Sequence, residues 1–387
     1  MQKRKWPQVL VFLFIWLAAC VPAWAGSPSA ADVDADIDSI FRRYNTVGGA
    51  VLVARHGELV YERYYGHADI GAKKEVGRST YFRAASITKF VSGIGAMRLV
   101  ERGLLDLDED IGILLDMRIR NPRYPNTPVT LRQLMTHTSG VDDTTGYIKA
   151  SGTLRAFLED RPRRYFTSRE PGRHYVYSNF GAGIVGALME AATGQSVNAY
   201  MTEQVFAPLG IDAAYSASLL ASPGDVPILY AGKRIAVSVR TALATEYEDT
   251  SDPNRHFRTT IGSLWIRPRD LLGLVSLMCR GGELGGVRLL EPSTVEAMTA
   301  RQSGVGSVTG RTPYGLFTAR VDNVLPGVVL YGHQGTASGF VCNAYFDPET
   351  GYAFVLMTNG ANQRQDNRIS ILARRLIAYT YPMVAGE

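Results

Sequence analysis

Lysine is scarce in this chain. Only seven of its 41 basic residues are lysine, so each lysine position carries information. Cysteine is scarcer still, at three residues. Cys279 falls in an apolar helical run and Cys342 in a strand-like run, which reads as two buried thiols, although an oxidising compartment would allow them to pair. No Cys-x-x-Cys and no His-Glu-x-x-His occurs, so no metal site is expected, and no cofactor is implied. Net charge is also small. The formal +5 includes Lys3, Arg4 and Lys5, and without them it is +2. That is too near neutral to point to nucleic acid or an anionic membrane as a partner. No apolar run reaches the roughly 20 residues that a membrane-spanning helix needs. Gly-x-Ser-x-Gly is absent too, which counts against the Ser-His-Asp hydrolases that use it.

The apolar run at 9–21 follows the three leading cations and precedes Ala23-Trp24-Ala25, the layout of an export signal cleaved before Gly26. Leu17-Ala18-Ala19-Cys20 in the same stretch resembles a bacterial lipoprotein signal, in which Cys20 becomes the lipidated first residue and attaches the chain to a membrane. The two readings compete for one segment. Both predict a periplasmic or secreted protein, one of them a lipoprotein. The rest is ordinary globular material, with 46% hydrophobic and 20% charged residues over 387.

The centre of the chain's chemistry is Ser86-Ile87-Thr88-Lys89. Apolar residues Ile87, Phe90, Val91, Ile94 and Met97 recur at spacings of three and four, which predicts a helix that Ser86 starts as its capping residue. Residues three apart share a helix face, so the Lys89 amine can reach the Ser86 hydroxyl. The Ser86 N–H is one of the donors a helix start leaves over, and it is free to bind an oxyanion. Burial and the positive helix end both disfavour a charged lysine, and a neutral Lys89 can take the serine proton.

Around this stretch the chain is strand-like at both ends and helical between. A helix is predicted over 32–44, and a hairpin over 49–65 turning at His56-Gly57. Thr130 caps a short helix that ends at His137-Thr-Ser-Gly140, where His137 reads as a turn residue rather than a base. Gly181-x-Gly183-x-x-Gly186 matches the dinucleotide fingerprint formally, but no ribose-binding acid follows on a second strand. The glycines read as close helix packing. Residues 212–260 are irregular and polar, and are expected to border a cleft. Strands are predicted near 328–331, 339–346 and 352–357, and a last helix over 367–381. Sheet from both ends with helices between predicts an α/β (α+β) fold: an antiparallel sheet flanked by helices, with an inserted, mostly helical domain. The α/β part covers about 33–100 and 312–381, and the helical part about 101–311.

Three motifs stand in order: Ser86-Ile-Thr-Lys89, Tyr177-Ser-Asn179 and His333-Gln-Gly335. With this layout, they resemble the serine β-lactamase and penicillin-binding-protein superfamily, in the branch of class C β-lactamases, D-alanyl-D-alanine carboxypeptidases and related carboxylesterases. The resemblance spans 33–381. It implies an exported serine hydrolase acting through an acyl-enzyme on an ester or amide, a peptidoglycan-like peptide among them. The alternative is a penicillin-binding sensor that acylates without turnover. By the same resemblance Ser86 is the nucleophile, Lys89 the base or proton relay, and Tyr177 shares its proton network and passes a proton to the leaving group. Asn179 holds Lys89 and the substrate, and the N–H groups of Ser86 and Thr336 form the oxyanion hole. His333 stands where the β-lactamases carry a lysine. With an unperturbed pKa near 6.5 it is mostly uncharged at neutral pH, which favours neutral esters or amides over carboxylate-bearing substrates.

Overall fold

The computed structural model describes residues 29–143, 152–244, 247, 249–302, 314–362, 364–366 and 369–386. The expected export signal at 1–25, with Cys20, lies outside them. Among the described residues no helix is long and apolar enough to cross a membrane.

The first helix, α1 (Ala30–Arg43), begins slightly earlier than periodicity predicts. Ser29 and Asp32 form a reciprocal capping box, and Arg42 and Arg43 lie at the negative end of the helix dipole. The predicted hairpin follows as β1 (Gly48–Arg55) and β2 (Glu58–Asp69). Its turn residues His56 and Gly57 both have positive φ. A short β3 (Lys74–Glu75) adds an edge. From the other end of the chain come β4 (Ala319–Val321), β5 (Leu330–Ala337), β6 (Phe340–Asp347) and β7 (Tyr352–Gly360).

These seven strands form one sheet in the order β4-β5-β6-β7-β1-β2-β3, antiparallel throughout. The two chain ends meet at the β7–β1 ladder, where Val51 pairs with Leu356 and Leu52 with Val355. Strand β1 is apolar without alternation because both of its faces are buried. Val51 and Val53 pack in one core with Ile37 and Phe41 of α1. That core also contains Leu372 and Leu376 of the C-terminal helix Ile371–Thr380. That helix starts later than the predicted 367 because a strand pair, Gln365–Asp366 with Ile369–Ser370, precedes it.

Ala50, Leu52 and Ala54 face the other way, into the larger core. There α2 (Ile87–Glu101) and a later helix, Pro268–Cys279, pack against the sheet. The second of these falls within the stretch assigned to the helical part, yet it covers the sheet itself. Helix α3 (Asn179–Thr193) is the spine of the inserted region and packs on α2. Cys279 and Cys342 are free and buried, their thiols pushed up to about 12 by desolvation. They donate to different carbonyls, of Asp347 and Arg83 respectively.

Candidate active site

Ser86 stands at the N-cap position of α2, as predicted, but its side chain does not cap the helix. Its backbone is already helical and its hydroxyl makes no cap hydrogen bond. Ala85 before it is held at φ +46, a left-handed conformation costly for a residue with a Cβ. The sharp turn leaves the hydroxyl free of the helix end. Lys89, one turn on, is fully buried.

The Lys89 amine has three neighbours: Ser86 Oγ at 3.2 Å, Asn179 Oδ1 at 2.8 Å and the Ile261 carbonyl at 2.7 Å. Desolvation lowers its pKa to about 7, against an opposing pull from the Asp143 carboxylate. A neutral amine has two hydrogens and one lone pair. Asn179 and Ile261 accept the two hydrogens, so the lone pair is left for the Ser86 hydroxyl. The same amine lies 5.3 Å from the centroid of the Tyr177 ring.

Ile261 reaches the lysine because of the glycines in α3. A Cβ on Gly183 would come within 1.8 Å of the Phe257 carbonyl, and one on Gly186 within 2.9 Å of the Thr260 side chain. The fingerprint-like spacing is therefore a packing groove for the segment 257–261, and that segment carries the carbonyl at Lys89.

Asn179 is oriented by Asp143, which the sequence reading missed. The Asp143 carboxylate accepts from Asn179 Nδ2 at 2.9 Å, Asn179 N at 2.7 Å, Phe180 N at 2.8 Å and Ser178 Oγ at 3.0 Å. It neutralises the positive start of α3 and turns the Asn179 amide so that Oδ1 faces Lys89. The neighbouring turn does the rest. Buried His137 accepts from Ser178 N–H through Nδ1 at 3.2 Å, and its ring packs 4.2 Å from that of Tyr177. It holds the second motif in place, as a turn residue should.

The third motif lies on β5, against the turn before α2. A Cβ on Gly335 would sit 2.3 Å from the Ala84 carbonyl and 3.2 Å from Ser86 N, so only glycine lets the strand come this close. Ser86 and Thr336 thereby line one cavity of about 400 Å³ with Tyr177, Asn179, His333 and Tyr314. Gln365 joins them and donates to Thr336 Oγ1 at 2.7 Å. Buried His333 donates from Nδ1 to the Gln334 carbonyl at 2.5 Å, and its ring meets those of Tyr177 and Tyr314. The structure thus brings Ser86, Lys89, Tyr177, Asn179, His333, Gly335 and Thr336 together. The expectation for 212–260 needs correction. None of the described residues lining this cavity comes from that stretch; the far wall is built by 314–365. Among the described residues no group of three or more His, Cys, Asp or Glu is placed to hold a metal.

A serine paired with a buried lysine at a helix start, beside an antiparallel sheet with a helical insert, defines the β-lactamase/transpeptidase class of folds. The family model described as Beta-lactamase matches residues 33–379, and the chain belongs to that family. It is 36% identical over 201 residues to esterase EstB of Burkholderia gladioli, covering 47% of this chain and 50% of that protein. It is 27% identical over 174 residues to penicillin-binding protein 4* of Bacillus subtilis (strain 168), covering 42% and 37%. The chain thus spans half or less of the length of these curated relatives. Among solved structures, the D-amino acid amidase from Ochrobactrum anthropi SV3 shares the fold, with TM-score 0.68 and 21% identity, over 90% of this chain and 99% of that one.

Proposed function

We propose that the protein is a serine hydrolase that forms an acyl-enzyme on Ser86, with neutral esters or amides as its preferred substrates. The observation that carries this reading is the Lys89 amine, whose two hydrogens are taken by Asn179 and Ile261 while Ser86 Oγ lies 3.2 Å away. In this scheme neutral Lys89 takes the Ser86 proton as the oxygen attacks the substrate carbonyl. The N–H groups of Ser86 and Thr336 stabilise the oxyanion. Tyr177, beside the lysine, passes the proton to the leaving group, and water then attacks the acyl carbon with Lys89 again as base. The described cavity lining includes no arginine, lysine or carboxylate, and one histidine, His333. A substrate without a carboxylate fits that lining. The esterase among the relatives points the same way.

We also propose export through residues 1–25, with or without lipid on Cys20. Mass spectrometry of the mature N-terminus decides between cleavage before Gly26 and a lipidated Cys20.

The test of the activity compares wild type and Ser86→Ala on p-nitrophenyl butyrate, nitrocefin and a D-Ala-D-Ala peptide. Turnover of the butyrate ester that disappears in Ser86→Ala is the expected result. A stoichiometric burst with no turnover on any of the three would make the protein a sensor instead. Activity that survives in Ser86→Ala would remove the serine from the mechanism.

A further inference from the structure

Arginine is unevenly distributed. Segments 118–123 and 155–173 carry nine arginines against three acids, a net +6. The chain after Ala25 is only +2 in all, so everything outside these segments is net −4. The two segments are also joined in space. Buried Asn121 donates through Nδ2 to the carbonyls of Thr167 at 3.0 Å and Arg169 at 2.9 Å, and its Oδ1 accepts from Arg123 N at 3.0 Å. Between them lies a cavity of about 310 Å³ lined by Arg123, Arg163, Thr167, Ser168 and Asn121, with Phe166 also in its wall.

The charge there is largely uncompensated. Arg120, Arg155 and Arg173 are ion-paired. Among the described residues, Arg118, Arg123, Arg161, Arg163, Arg164 and Arg169 have no carboxylate within ion-pair distance. No acid is among the described residues that line the cavity. Two guanidinium groups and two hydroxyls on a backbone braced by a buried amide suit a tetrahedral oxyanion, because arginine binds phosphate through paired donors. The Thr167 hydroxyl accepts from Arg169 N at 3.2 Å, and its own hydrogen is left to donate. A bare phosphate would leave much of the volume empty, and the size is that of a small-ligand pocket.

We propose that this cavity is a binding site for a phosphate ester, separate from the Ser86 cavity, with Arg123 and Arg163 as its principal ligands. The ester is either a soluble metabolite or a lipid headgroup presented at a membrane surface. The site does not depend on the proposed hydrolase activity.

The test measures binding of glycerol 3-phosphate by calorimetry and co-sedimentation with vesicles of phosphatidylglycerol or phosphatidylcholine, at low salt. Saturable binding of the soluble ester is expected, weakened on the order of tenfold in Arg123→Ala and in Arg163→Ala. A Lys233→Ala/Arg234→Ala control, which removes exposed cations elsewhere, should bind unchanged. Co-sedimentation with phosphatidylglycerol alone, lost in the same two variants, supports the site with a lipid headgroup as its ligand. Binding of neither probe, or binding that the control weakens as much as the arginine variants do, overturns the proposal.

Discussion

The two walls of the Ser86 cavity differ in kind. The wall from α2 and α3, backed by the 257–261 segment that supplies the Ile261 carbonyl to Lys89, is buried, charged and crowded with hydrogen bonds. Lys89, Asn179 and Asp143 form one connected chain, and each fixes the orientation of the next. The opposite wall, from β5 and the residues around it, presents tyrosine rings, glutamine amides and one histidine. Its contacts are amide and hydroxyl pairs such as Gln365 to Thr336 and Gln334 to Gln365. On the proposed mechanism the first wall sets protonation states, which demands burial and fixed partners, and the second meets the substrate. Chemistry and choice would then be carried by separate parts of the chain.

Replacing Lys89 should separate the walls most clearly. Lys89→Met keeps the volume and removes the base, so turnover should fall by about 10²–10⁴ while the second wall still binds substrate. Stability should move the other way. A lysine near 10.4 when unfolded and about 7 when folded leaves the unfolded chain binding more protons between those values. Its destabilising effect is therefore absent above about pH 10, grows as pH falls, and is complete below about pH 7. The variant should melt higher than wild type at pH 6, with the gap closing toward pH 10. A lower melting temperature at pH 6 would contradict the picture of a buried lysine whose desolvation outweighs the pull of Asp143.

Asp143→Asn acts within the same wall at one remove. It should cost roughly tenfold in turnover, because a lost charge-assisted partner lets the Asn179 amide turn. Wild-type activity should rise through about pH 7 as Lys89 loses its proton, falling about tenfold per unit below that. Asp143 raises the lysine pKa, so the acid limb in Asp143→Asn should shift to lower pH. An unshifted limb would reduce Asp143 to a cap for α3.

His333→Lys addresses the second wall and should have the smallest effect on rate. It should raise the ratio of carboxylate-bearing to neutral ester turnover on the order of tenfold and leave the Lys89 limb in place. An unchanged ratio would take His333 out of substrate choice.

The first wall was legible in the sequence where its logic is local. Ser86 and Lys89 lie one turn apart on a helix whose apolar spacing is plain, and Gly183 and Gly186 announced a close approach. What stayed hidden was long-range or belongs to the backbone. The Ile261 carbonyl has no residue type to betray it. Asp143 lies 35 positions before Ser178, and its nearness to the His137-Thr-Ser-Gly140 turn gave no sign of its role. Ser86 as a cap was a sound reading of a helix start, but the left-handed Ala85 turns the serine into a helical position. The second wall was anchored only by His333-Gln-Gly335. Tyr314 and Gln365 reach the cavity through sheet register and chain crossing, which no local pattern encodes, and polar composition alone drew attention to 212–260.

The β7–β1 ladder has a consequence in time. Ser86 and Lys89 are synthesised in the first quarter of the chain, but the strand beside Ser86 belongs to its last sixth. It joins them only once β7 has inserted between β6 and β1. Closing the chain over such a sequence separation carries an entropic cost that slows folding. On the proposed mechanism a nascent or C-terminally truncated chain therefore holds Ser86 and Lys89 without the Gly335–Thr336 edge, and so lacks half of its oxyanion hole.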